Sequence, residues 1–117
     1  MGLDAHHVAL LAQRGYQLVA EDEHRQEYAR SFGPATLTIV VSANCAPFAD
    51  GRVDIRFAEE ILNKSVYRSH AVKLTPDGLS QTEREFAPRA LEFIRTAKRD
   101  VARLAVPRDL VALTKAA

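Results

Sequence analysis

The side chains with chemical potential in this chain are one cysteine, four histidines, and several acids and arginines standing close in sequence. Cys45 is the candidate nucleophile, with His24 or His70 as its base, since a reactive thiolate needs an imidazole or cation beside it. No flanking motif accompanies it, and a lone cysteine reads more simply as a small buried residue. His6 and His7 suggest a metal. Adjacent helix positions diverge by ~100°, however, and the i, i+4 spacing of paired imidazole ligands is missing. They read as surface histidines near a helix start, and no metal or other cofactor is expected. Asp50, Asp54, Glu59 and Glu60 offer carboxylates for an acid/base pair. Asp54 stands two residues from both Arg52 and Arg56 on one strand face, which suits a salt-bridge ladder better than a general acid. The five glycines are scattered singly without phosphate-loop spacing, and no serine sits in a nucleophile elbow. No convergent catalytic set emerges, so the reading leans away from an enzyme.

Arginine supplies a second possibility. Arg89, Arg95, Arg99 and Arg103 line the polar side of the most periodic segment, as a phosphate-facing helix would. Glu85, Glu92 and Asp100 stand at neighbouring helical spacings and largely neutralise that row. Phe86 and Phe93 fall in the apolar stripe, which leaves no platform for stacked bases. The formal net charge of +1 also argues against bulk electrostatic attraction to nucleic acid. The charge is split nonetheless. Residues 1–60 hold five arginines against nine acids, a balance of −4, and residues 61–117 hold eleven cations against six acids, a balance of +5.

The elements that must position these groups are arranged around residues 36–57. Leu37, Ile39, Val41 and Ala43 fall on one side of the first limb. Val53, Ile55 and Phe57 fall on one side of the second, opposite Arg52, Asp54 and Arg56. Successive strand residues point to opposite faces, so this alternation predicts an antiparallel pair with one apolar and one polar face. Thr36, Thr38, Val40 and Ser42 join the polar face. The connection from Asn44 to Gly51 contains Pro47 and Asp50-Gly51, which is turn chemistry. Phe48 within it is expected to tuck onto the core or meet a partner.

Around that pair the punctuation is local. Asp4 is a candidate N-cap, with Leu3 stapled to Val8, and Gly15 is a left-handed stop. Ala5, Val8, Leu11 and Ala12 form the predicted apolar stripe with Leu10 at its edge, and Arg14 sits in the last turn, favoured by the dipole. A strand over 16–20, an acidic turn at 21–23 and a strand over 25–32 follow, closed by Gly33-Pro34. In the latter strand Tyr28 and Phe32 share a face with Arg30 between them. Residues 58–63 read as a helical turn or loop, 66–74 as a strand with Val72 and Leu74 inward, and Thr75-Pro76-Asp77-Gly78 as a turn. Ser80 with Glu83 fits a capping box. The stripe Phe86, Ala90, Phe93, Ile94, Ala97, Val101, Leu104 and Ala105 predicts helix as far as Pro107. Pro88 falls inside it. Either a short helix from Ser80 to Phe86 precedes a main helix of ~20 residues, about 30 Å long, with Pro88 in its first turn, or one helix carries a kink. The first arrangement is preferred.

Helix, four or five antiparallel strands, then a long helix make a two-layer α+β sandwich, a meander with helices on one face. Residues 1–107 are expected to be one domain and 108–117 a tail with a frayed helical turn. The apolar fraction of 47% and charged fraction of 26% are ordinary globular usage, and no apolar run approaches membrane-spanning length. The start lacks the basic-then-apolar pattern of a secretory leader, and one cysteine allows no internal disulfide, so a cytoplasmic protein is expected. The expected function is non-enzymatic: an adaptor, chaperone-like or neutralising module that binds another protein, or a second copy of itself, through the open sheet face or an edge strand. Thr36, Thr38, Arg52, Asp54, Arg56 and Phe48 are the expected binding residues. Two alternatives stand beside it. One is a small-ligand protein or enzyme with a pocket between helices and sheet, lined by Tyr16, Tyr28, Phe48 and Tyr67. The other is a weak nucleic-acid binder using the arginines of the long helix.

Overall fold

The computed structural model describes residues 5–42, 48–57, 60–96 and 108–115, with the backbone alone described at 57, 60–65, 96 and 109. Helix α1 (Ala5–Gln13) leads into five strands, β1 (Gln17–Glu21), β2 (Arg25–Phe32), β3 (Ala35–Ser42), β4 (Phe48–Phe57) and β5 (Glu60–Lys73). Helices α2 (Pro76–Thr96) and α3 (Arg108–Lys115) follow. The strands form one antiparallel sheet in sequence order, β1-β2-β3-β4-β5. This is the expected α+β meander with a leading helix and a long closing one.

Helix α1 stops where glycine lets it. Gly15 takes φ 89°, and the Tyr16 amide returns to the Leu11 carbonyl at 2.9 Å, satisfying an orphan acceptor of the last turn. The buried face of α1 differs from the predicted stripe. Leu10 and Leu11 are buried, while Ala5, Val8 and Ala12 are exposed. His7, Leu10, Leu11 and Arg14 instead share the i, i+3, i+4, i+7 face, because Arg14 is drawn to an acid on α2. The proposed cap at Asp4 and staple at Leu3 lie outside the described residues.

Tight turns close the first two hairpins. Asp22 Oδ1 accepts the His24 and Arg25 amides at 2.7 and 2.9 Å, and these two donors hold its carboxyl below the usual carboxylate range. Gly33, at φ 67°, and Pro34 make the two-residue loop between Phe32 and its partner Ala35. Across the centre of the sheet Leu37 lies opposite Val53 and Ala35 opposite Ile55, all fully buried. Burying each such large aliphatic side chain is worth about 1.5–3 kcal/mol, which fixes the register of this pair.

Two local turn signals are overridden by packing. Asp50-Gly51 lies inside β4, which begins at Phe48. A Cβ on Gly51 would stand 2.8 Å from Val72 Cγ2 and 3.8 Å from Ile39 Cδ1 and Leu37 Cδ1, so the glycine serves close approach in the core and no reversal. Residues 60–63, expected as a helical turn or loop, begin β5. That strand uses 14 residues where β4 uses 10, with register shifts beside Gly51, Val53 and Ile55. The surplus near Ser69 resets the alternation. Val72 is buried like Tyr67, whereas Arg68 and His70 point outward despite sharing sequence parity with Val72 and Leu74.

Helix α2 starts earlier than expected. Thr75 is its cap, its Oγ1 accepting the Gly78 amide at 3.0 Å, and Pro76 occupies the first helical position. Thr75–Gly78 is therefore a helix start and not a turn, and Ser80–Glu83 is no capping box. Gly78 is required there, since an added Cβ would lie 2.2 Å from the Lys73 carbonyl oxygen. Pro88 lies inside this one continuous helix rather than opening a second. The lost amide bond is offset by a stripe spanning both sides of it, Leu79, Phe86, Ala87, Ala90, Leu91 and Ile94, all buried. Ala97, Val101, Leu104, Ala105 and Pro107 lie outside the described residues. In the terminal segment, α3 packs on α2 and places Leu110, fully buried, in the common core.

Candidate binding surface on the open sheet face

Alternation along β4 turns Phe48, Asp50, Arg52, Asp54 and Arg56 to the face opposite the helices. Register then brings Thr36 beside Asp54, Thr38 beside Arg52, Ala29 beside Thr38 and Glu27 beside Val40. Five of the six sequence-predicted residues, Thr36, Thr38, Arg52, Asp54 and Arg56, border one depression of about 240 Å³, together with Val19, Glu27 and Ala29. Phe48 does not join them. It lies at the far end of β4 opposite Lys73 and is 41% exposed, so it is not tucked onto the core.

Arg52 organises the face. Its Nη2 lies 3.6 Å from Glu27 on β2, and its Nε lies 3.6 Å from Asp54 on its own strand. To reach Glu27 the arginine stem must cross β3, which explains why Thr38 is only 5% exposed on an otherwise open face. Glu27 also faces Arg25 at 3.4 Å. The result is a cross-strand chain, Arg25–Glu27–Arg52–Asp54, whose two acids keep about 15% of their side-chain surface. These contacts exceed good hydrogen-bonding distance, so the guanidinium donors are held in place without being spent. Asp54 Oδ1 is buried and has no hydrogen-bond partner.

A second depression, about 150 Å³, adjoins the first and is lined by Arg25, Val40, Asp50, Gly51, Arg52, Arg68 and His70. His70 Nδ1 lies 3.1 Å from Asp50 Oδ1. Arg68 lies directly opposite Arg52 in the β4–β5 register. Arg25, Glu27, Arg68 and His70 were not among the residues expected here. Period-two reading of β2 against Tyr28 and Phe32 points to Arg25 and Glu27, but Arg30, on the core side, blurs the pattern. The β5 bulge that aims Arg68 and His70 has no local sequence signal.

The helix-side polar cluster is built differently. Glu83, 2% exposed, accepts Arg14 Nη2 at 2.7 Å and the Tyr16 hydroxyl at 2.8 Å, with Arg30 Nη1 at 3.4 Å. Ser80 accepts a further bond from Arg14 at 3.0 Å. Burial first, then the Glu83 charge and hydrogen bond, push the Tyr16 hydroxyl far above its ordinary range. Tyr67 donates to Glu85 at 2.7 Å, and burial followed by that bond pushes it up to about 12. Arg89 lies over the Tyr67 ring at 5.3 Å. Tyr28 donates to Gln26 at 3.1 Å. Tyr16, Tyr28 and Tyr67 are thus bound into the core, apart from Phe48 on the opposite face.

Cys45, Glu59, Arg99 and Arg103 lie outside the described residues, as do the side chains of Phe57 and Glu60. Among the described residues no group of three or more His, Cys, Asp or Glu is placed to hold a metal, and no helix is long and apolar enough to cross a membrane. No protein-family model matches the chain, and no curated protein or solved structure matches it either.

Proposed function

We propose that this protein is a non-enzymatic binding module that recognises another protein through the open face of its sheet. One observation carries the reading. No described element covers that face, yet it holds an ordered cross-strand charge chain, Arg25–Glu27–Arg52–Asp54, with half-buried acids and unspent guanidinium donors. Holding charges part-desolvated on a sheet surface costs stability without filling a core, which is reasonable where recognition uses them. Among the described residues β1 and β5 are the edge strands of the sheet, and an edge strand offers a second means of attachment by strand addition.

The test is a photo-crosslinking residue placed at Arg56, exposed on the open face, and in parallel at Arg84, exposed on α2, in the native host. A defined crosslinked protein is expected from position 56 and not from 84. Crosslinks confined to position 84, or absent from both, would remove the proposal.

A further inference from the structure

We infer that the corner of the open face between Arg52 and Arg68 anchors the carboxylates of an extended acidic peptide segment. The inference rests on the reading of that face as a protein-binding surface. Arg52 and Arg68 are direct cross-strand partners, and like charges in that relation repel. Arg52 has two acids near it, but Arg68 is exposed with no ion-pair partner among the described residues. Arg25 lines the same 150 Å³ depression from β2, and His70 closes its β5 side, holding Asp50 to itself at 3.1 Å. A carboxylate between Arg52 and Arg68 would relieve their repulsion and accept their free donors in the fork geometry guanidinium favours.

The interleaving of cations and acids selects the kind of anion. Arg25, Arg52 and Arg68 stand on β2, β4 and β5. Strands lie nearly 5 Å apart, so the backbones of β2 and β5 are separated by about 14 Å. Extended peptide rises ~3.4 Å per residue, so acids four residues apart match that backbone span. Glu27, Asp50 and Asp54 lie between and beside the arginines. A chain charged at every unit, such as a nucleic acid, would meet these acids, whereas a peptide can place neutral residues over them.

The test is an amide-detected NMR titration of the full chain at low salt with a hexaglutamate peptide, and in parallel with inorganic phosphate and a six-residue oligothymidine. Saturable shifts centred on residues 50–52 and 68–70 are expected with hexaglutamate. Arg68→Ser should weaken that binding about tenfold, as loss of a charge-assisted hydrogen bond does. Arg95→Ser, at an exposed site on α2, should leave it unchanged. Shifts spread over all surface arginines, unchanged affinity in Arg68→Ser, no saturation, or equal or tighter binding of phosphate or oligothymidine would each overturn the anchor. A partner crosslinked from Arg56 in a protein that ignores hexaglutamate would leave the binding module standing and remove only its acidic ligand.

Discussion

Glu83 shows how one side chain can tie three elements together. Arg14 follows α1, Tyr16 precedes β1, Arg30 lies on β2, and all three turn to a carboxylate on α2. Removing one partner of a buried ion pair leaves the others uncompensated, at a cost of 3–5 kcal/mol in general. Arg14 and Arg30 keep 25% and 30% of their side-chain surface, so Glu83→Ala is expected at the lower end, about 3 kcal/mol by urea unfolding. A loss below about 1 kcal/mol would mean that solvent already satisfies these arginines. The tyrosines give a pH signature from the same environment. Tyr16, Tyr28 and Tyr67 all have hydroxyls raised above the ordinary 10.0, Tyr67 to about 12. A raised folded-state value binds the proton more tightly than the unfolded chain does. That stabilisation is therefore complete below pH 10 and is lost as pH climbs from 10 towards 12. Tyrosinate absorbance of the native protein should rise at higher pH than in urea, and unfolding midpoints should fall across the same window. Coincident native and denatured titrations would contradict the buried hydrogen bonds.

At the scale of elements, the start of α2 is set by a close approach. Gly→Ala inside a helix ordinarily gains about 1 kcal/mol. Gly78→Ala should instead destabilise by about 1–3 kcal/mol, because its Cβ would meet the Lys73 carbonyl oxygen at 2.2 Å. Thermal unfolding reads the sign directly. Pro88 offers the converse. It is exposed in mid-helix, so Pro88→Ala should restore an amide bond and raise stability by about 1–3 kcal/mol. A neutral or harmful result would show that α2 is shaped around the ring. These elements also mark where local reading succeeded. Gly15 ends α1 and Gly33-Pro34 turns β2 into β3 through backbone preferences that need no distant partner. Thr75–Gly78 carries the residues of a turn and of a helix start alike, and only the continuation of the Phe86 stripe back to Leu79 and Glu83 decides between them.

For the whole molecule, the division into a packed face and an open face predicts separable effects. Arg56→Glu, on the exposed face with no ion-pair partner among the described residues, should change unfolding free energy by less than about 0.5 kcal/mol. The same change should abolish capture of the partner found by crosslinking. Equal loss of stability and capture would make the residue structural. The sequence alone determined that this chain folds as helix, antiparallel meander and long helix, and that Arg52, Asp54 and Arg56 face away from Ile39 and Ile55. Those features follow from periods of two and 3.6 residues, which are local. Only the tertiary structure decided that Gly51 is a core contact, that β5 is bulged so that Arg68 meets Arg52, and that Glu83 is buried beneath two arginines. Each of those depends on residues distant in the chain being brought together by the fold, and no periodicity encodes such a meeting.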